Sequence, residues 1–142
     1  MTAEIDTGYD LVVVGAGPTG LVSALLAAQS GQRVVVLEKK SMHSIRGYAH
    51  YLNAYTLEIL ASVGVDMQVL LAGSASTEQA LSMVYCTSLQ RPFAHIKLTD
   101  DPDFMQAWRS AGRYHGCAHV SFMRVWQALY DCCQQQAITI FW

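Results

Sequence analysis

Residues 9–38 read YDLVVVGAGPTGLVSALLAAQSGQRVVVLE, and this stretch is the strongest indication of the type of fold. The β-branched apolar run at 11–14 is typical of a strand buried on both faces of a parallel sheet. A glycine-rich turn follows, then an alanine-rich helix predicted over 21–30 with Gly31 as its C-terminal cap, and then a second strand at 33–37. The order predicts the β-α-β unit of a dinucleotide-binding fold.

The turn predicts a binding site for a pyrophosphate. Its residues are Gly15, Ala16, Gly17, Pro18, Thr19 and Gly20. We expect Gly15 to permit the tight turn, Gly17 to let backbone N–H groups approach the phosphates, and Gly20 to let helix and strand pack closely. Proline is suited to the first helical position, and the helix N-terminus attracts anions.

Glu38 is predicted to bind the adenosine ribose. It ends the second strand, 18 residues after Gly20, where an acid accepts hydrogen bonds from ribose hydroxyls. Its charge would repel a 2′-phosphate, which favours FAD or NAD over NADP. Residues 11–32 have two other interpretations: a membrane helix, which the glycines and proline disfavour, and a turn that closes a sheet without binding anything.

The composition indicates one well-buried domain. The 142 residues are 52% hydrophobic and only 14% charged, which excludes a disordered chain. A net charge of −2 and the lack of a basic run argue against nucleic acid as a partner. The polar, acidic N-terminus and four cysteines without paired spacing favour a cytoplasmic location and free thiols.

Downstream of Glu38 the pattern alternates between helices and strands. We predict a surface loop over 39–46, a helix capped by Asn53 and closed by Gly64, a helical piece at 65–71, and two strands at 80–87 and 93–98. Residues 99–118 are predicted to form a long excursion, followed by an amphipathic helix over 122–135 capped by Ser121.

His115, Cys117 and His119 are metal ligands by type. Their every-second-residue spacing matches no common zinc pattern, so no metal site is expected.

The β-prone ending at 137–142 predicts a third parallel strand beside the second. The first strand would then have an open edge, which invites self-association or a complementing chain.

The sequence resembles the FAD-dependent aromatic-ring hydroxylases, the single-component flavoprotein monooxygenases similar to phenol and chlorophenol hydroxylases. The glycine-rich turn, the strand end at 36–39, the segments at 49–53 and 56–60, and the run at 84–89 are similar to that family over nearly all of the chain. The resemblance implies an α/β fold, a Rossmann-like FAD-binding domain of the glutathione-reductase type. Residues 1–142 would form its N-terminal part, truncated before the flavin-ring and substrate segments.

The resemblance also implies the cofactor and its contacts. Gly15 to Gly20 would hold the FAD pyrophosphate, Glu38 the ribose, and Lys39 would lie near the adenine, with Arg46 and Arg124 as basic contacts. In this family NAD(P)H reduces the flavin, which then activates oxygen to hydroxylate an electron-rich ring. No residue is assigned a catalytic role, and the chain alone is expected to turn over no aromatic substrate.

Two alternatives remain at this stage. An NAD-linked dehydrogenase fits the glycine-to-glutamate spacing equally well, although the proline-containing turn and residues 53–60 fit it less. A non-catalytic remnant is favoured by Tyr48 and Tyr55, which stand where the family commonly has arginines.

Overall fold

The computed structural model describes residues 8–41, 51–75, 77–114 and 116–142. It is an α/β fold built on a three-stranded parallel sheet. The strands are β1 (Leu11–Val14), β2 (Val34–Leu37) and β7 (Thr139–Phe141), in the order β1-β2-β7. The predicted third strand beside the second is therefore confirmed. Within the described residues, β1 pairs with β2 alone, so its other edge is open.

Helix α1 (Pro18–Gln29) connects β1 to β2 in the predicted β-α-β order. It begins three residues earlier than predicted because Pro18 occupies its first turn, where the missing N–H costs no intrahelical bond. Its C-terminus is followed by Gly31 at φ +83°, a left-handed conformation that glycine adopts without strain. The predicted cap is thus confirmed.

Helix α6 (Phe122–Gln135) has the predicted bounds and packs against α1. The Ser121 hydroxyl accepts the Arg124 N–H, which confirms the predicted N-cap. Buried side chains of α6 join those of α1 and β2 in the main core, which includes Leu21, Leu25, Val34, Val36, Leu57, Leu60, Val125, Trp126, Leu129 and Cys133. Burial of these aliphatic and aromatic groups is the main stabilising term of the fold.

The segment between β2 and α6 adds two antiparallel pairs. Strand β3 (Tyr51–Asn53) pairs with β6 (Cys117–His119), and β4 (Ser82–Ser88) pairs with β5 (Arg91–Lys97) as a hairpin with register shifts near Cys86. Helix α2 (Ala54–Ser62) is capped by Asn53 as predicted, and α3 (Met67–Leu71) is capped by Asp66. A short helix, α4 (Thr77–Ala80), precedes the hairpin.

Two predictions in this segment were wrong in detail. Residues 99–118 are not an irregular excursion, because they contain α5 (Pro102–Ser110) and β6. The Asp101 carboxylate accepts the Phe104 N–H and Pro102 starts the helix, so the acidic residues and proline attributed to a loop are N-terminal helix signals. The strand predicted from residue 80 begins at Ser82, since the residues before it form α4.

Among the described residues, no helix has both the length and the apolar character needed to cross a bilayer.

Candidate functional site

The glycine-rich turn lies between the carboxyl end of β1 and the N-terminus of α1. Gly15 has φ +105°, a left-handed conformation that a side chain would strain. Its N–H donates to the Leu37 carbonyl at 2.7 Å, which joins the turn to the end of β2. The turn therefore sits at the carboxyl edge of the parallel sheet, where open α/β folds bind their ligands.

Gly20 and Gly17 serve different purposes in this turn. A Cβ on Gly20 would overlap the carbonyl oxygen of Gly15, so only glycine allows helix and turn to approach this closely. A Cβ on Gly17 would meet nothing within 4 Å, which means that the backbone there faces open space. Gly17 is the N-cap of α1 and makes no side-chain cap. The first N–H groups of the helix are thus available to an anion.

Glu38 lies against the turn. Its Oε2 accepts the Ala16 N–H at 2.8 Å, and its Oε1 accepts the Lys40 N–H at 2.9 Å. These bonds, first that of Lys40 and then that of Ala16, lower the pKa of the Glu38 carboxyl below its usual value. Each oxygen keeps capacity for a further bond, because an ionised carboxylate offers about four lone-pair positions.

This geometry places the negative charge of the Glu38 carboxylate beside the free backbone N–H groups at the N-terminus of α1. A ligand that carries hydroxyls next to a pyrophosphate fits both, since hydroxyls donate to the carboxylate and phosphate oxygens accept from the helix N-terminus. The open surface in front of Gly17 gives such a ligand room to approach. The site therefore fits the adenosine diphosphate end of a dinucleotide.

The predicted basic contacts are distributed differently. Lys39 is exposed next to Glu38. Arg124 lies in the first turn of α6, where its Nη2 donates to the Val69 carbonyl at 2.7 Å and its guanidinium covers Gly73. In this structure Arg124 therefore caps the end of α3, and its contact with the cofactor stays a prediction. Arg46 lies outside the described residues, as does Tyr48.

Cysteine and histidine side chains are the candidates for a metal site. No group of three potential ligands is arranged for a metal ion in the part of the chain that the structure describes, which does not include His115. A hydrogen bond between the Tyr51 and Cys117 side chains raises the pKa of Tyr51 to about 12, and the Tyr51 ring meets His119 edge-on. Burial raises the pKa of the Cys133 thiol to about 12, so this thiol is inert at neutral pH.

One functional candidate was missed by the sequence analysis. Trp126 of α6 is 2% exposed, and its indole Nε1–H donates to the Ala16 carbonyl at 2.7 Å. The amphipathic pattern of α6 indicated that this residue faces the core. It gave no sign of which backbone group the indole would contact.

Comparison with known proteins agrees with this site. The sequence model of a family described as "FAD binding domain" matches residues 8–138. A 2,4-dichlorophenol 6-monooxygenase from Delftia acidovorans is 34% identical over 80 residues, which cover 56% of this chain and 14% of that protein.

Solved structures show the same fold. The flavin-dependent monooxygenase PieE, in complex with FAD and substrate, superposes with a TM-score of 0.76 at 22% identity, over 94% of this chain and 24% of that one. Aklavinone-11 hydroxylase, in a ternary complex with FAD and aklavinone, gives a TM-score of 0.66 at 26% identity, over 96% of this chain and 25% of that one. The chain thus spans about a quarter or less of the length of these relatives. Because the family model covers almost the whole chain, the protein belongs to the FAD-binding domain family found in FAD-dependent monooxygenases, and its cofactor is FAD.

Proposed function

We propose that this chain is the FAD-binding portion of an NAD(P)H-dependent monooxygenase that hydroxylates aromatic, phenol-type substrates. One observation carries the proposal: the open backbone at Gly17 lies next to a carboxylate bonded to the same turn. This pairing of anion donors and a ribose acceptor is what the adenosine end of FAD requires. The kinds of protein it resembles, a dichlorophenol monooxygenase and an aklavinone hydroxylase, support an aromatic substrate.

The turn and several side chains outside it would each bind a different part of FAD. The backbone from Gly15 to Gly20 would hold the pyrophosphate, and Glu38 would accept the ribose hydroxyls, with Lys39 near the adenine. Arg46 and Arg124 would add positive charge. The parallel order β1-β2-β7 supports a domain of the glutathione-reductase type. When bound, FAD supplies the redox and oxygen chemistry, while these residues bind and orient it.

We assign no catalytic residue in this chain and propose that it turns over no aromatic substrate by itself. We further propose that the open edge of β1 associates with a second strand, from another copy or a complementing chain, because its backbone donors and acceptors lack a neighbouring strand within the described residues. Light scattering over a range of concentrations tests this, and a monomer at every concentration would contradict it. A cytoplasmic location is proposed from the four cysteines, which show no paired spacing typical of disulfides.

The test of FAD binding compares four ligands and three proteins. We expect the wild-type chain to bind FAD and ADP with similar affinity, and NADH and adenosine more weakly. Gly17→Ala should weaken FAD binding about tenfold or more, because the new Cβ stands where the pyrophosphate approaches the backbone. Ser23→Ala is the matched control, since Ser23 is exposed on α1 and its hydroxyl contacts only its own helix at Thr19.

The outcomes separate the alternatives. A chain that prefers NADH to FAD would favour an NAD-linked dehydrogenase. A folded chain that binds none of the ligands would favour a non-catalytic remnant. Equal FAD affinity of the wild type and Gly17→Ala would refute the assignment of the turn.

A further inference from the structure

The buried tryptophan of α6 contacts the glycine-rich turn through a single polar atom. The Trp126 indole N–H donates to the Ala16 carbonyl, in a bond that joins residues 110 positions apart. Ala16 is fully buried and Trp126 nearly so. A buried carbonyl that loses its donor pays a desolvation penalty, so this bond constrains the turn more than an exposed one would.

The bond fixes the orientation of the next peptide plane. All described peptide bonds are trans, and in a trans peptide the C=O and the following N–H point in opposite directions. Because the Ala16 carbonyl points inward to Trp126, the Gly17 N–H points away from the core. Outward from Gly17 there is open space. The indole thus directs the Gly17 N–H to the position proposed for the pyrophosphate.

The Ala16 N–H is also held, since it donates to Glu38. Both polar backbone groups of Ala16 are therefore bonded to side chains from other elements, Glu38 at the end of β2 and Trp126 on α6. With the two ends of Ala16 held, the turn has little freedom to rotate its peptide planes.

The indole itself is held in place by aromatic neighbours. Its ring stacks on Tyr130 with a centroid distance of 5.2 Å and an interplanar angle of 15°. Trp142 meets it edge-on at 6.2 Å. A ring packed on two sides keeps one rotamer, so its N–H points in a fixed direction.

We infer that Trp126 is a positioning residue for the pyrophosphate-binding turn, which acts by orienting the Ala16–Gly17 peptide without touching the cofactor. The inference rests on the proposed role of the turn. It assigns to α6 a function at the cofactor site that depends on one N–H group and not on the bulk of the ring.

The test removes that N–H and keeps the packing. Two variants are compared with the wild type. One is Trp126→Phe, and the other is a semisynthetic chain with 3-benzothienylalanine at position 126, in which sulfur replaces the N–H in a ring of nearly the same shape. Calorimetry measures the binding of FAD, ADP and adenosine to each. We expect affinity for FAD and ADP to fall about fivefold to tenfold, with adenosine affinity unchanged. Trp108→Phe is the control, because Trp108 is a buried tryptophan of α5 in a separate apolar cluster, and it should leave all three affinities unchanged.

A second readout does not need the cofactor. In chains labelled with ¹⁵N-glycine, the Gly17 amide resonance should shift or broaden in both Trp126 replacements, while those of Gly31 and Gly64 stay in place. If the wild type binds no nucleotide, the proposed function fails, and this resonance then tests only whether the Trp126 N–H orients the Ala16–Gly17 peptide. An unchanged Gly17 resonance, or an equal loss of affinity for adenosine and ADP, would overturn the inference. If Trp126→Phe fails to fold, the chain with 3-benzothienylalanine still tests the inference.

Discussion

The β-α-β unit with α6 and the β4–β5 hairpin differ in what their apolar residues contact. In the first region, side chains such as Leu25, Val36 and Leu129 are fully buried. In the hairpin, Val84, Tyr85, Phe93 and the turn residue Leu89 are exposed, Leu89 by 98%. Both regions contain large apolar side chains, so residue type alone does not explain the difference.

The nucleotide-binding unit is therefore stabilised by its own packing, whereas the hairpin is held by the hydrogen-bond ladder between its two strands. Hydrophobic stabilisation scales with the area removed from water, and the hairpin removes little. A two-stranded hairpin alone is marginal in water. Substitutions in the two regions should therefore differ sharply in their effect on the free energy of unfolding.

The largest effect should come from Gly20→Ala. Alanine normally favours a helix over glycine by about 1 kcal/mol, yet here its Cβ would overlap the Gly15 carbonyl oxygen. We expect the free energy of unfolding to fall by about 3 kcal/mol or more, measured by urea denaturation with tryptophan fluorescence. Gly17→Ala is the control, with a loss of no more than about 1 kcal/mol, because a Cβ at this N-cap position meets nothing within 4 Å. Equal losses of unfolding free energy in the two variants would mean that the close approach of Gly20 to Gly15 does not determine the stability of the β-α-β unit.

The same substitution in each region tests the comparison directly. Leu129→Ala on α6 empties a fully buried position and should lower the free energy of unfolding by about 2–5 kcal/mol. Leu89→Ala in the hairpin turn should change it by less than about 0.5 kcal/mol. Comparable losses would indicate that the hairpin is packed in solution, against another copy or another part of the chain.

A smaller, stabilising change is expected where α6 meets β7. Ala137 has φ 55°, a left-handed conformation that is costly for alanine, and the Ile138 N–H closes the helix by donating to the Cys133 carbonyl at 2.9 Å. Ala137→Gly should raise the midpoint of thermal unfolding, with a gain of about 1 kcal/mol. Ala75→Gly, which changes an alanine with no positive φ, should not stabilise the chain. If Ala137→Gly does not change the midpoint, backbone strain at Ala137 does not lower the stability of the β-α-β unit with α6.

The smallest effect concerns pH. The folded-state pKa of Glu38 is lowered, so its contribution to stability is complete above the unfolded-state value of about 4.5 and is lost as the pH falls through the folded value. Glu38→Gln should flatten the loss of stability below about pH 4.5. The difference should be under about 1 kcal/mol, because solvent reaches the carboxylate. Superimposable acid denaturation curves for wild type and variant would show that the bonds to Ala16 and Lys40 do not couple to folding.

The sequence analysis was most successful where structure depends on neighbouring residues. The bounds of β1 and α6, the caps at Asn53 and Ser121, and the left-handed glycine after α1 follow from local dihedral preferences and short-range hydrogen bonds. It failed at α5 because proline and aspartate start helices as readily as they mark loops. The β3–β6 pair was not predicted, since two three-residue strands far apart in sequence carry no periodicity of their own.

The sequence alone predicts the order of strand, glycine turn, helix and strand, and it places Glu38 at the carboxyl end of the second strand. These features depend on backbone torsions and on spacing along the chain. Three contacts depend on the tertiary structure. The Glu38 carboxylate accepts the Ala16 N–H, Arg124 caps α3, and the Trp126 indole N–H donates to the Ala16 carbonyl. Those contacts join groups 22, 55 and 110 residues apart, and such contacts form only where packing of the whole chain brings the atoms within hydrogen-bonding distance.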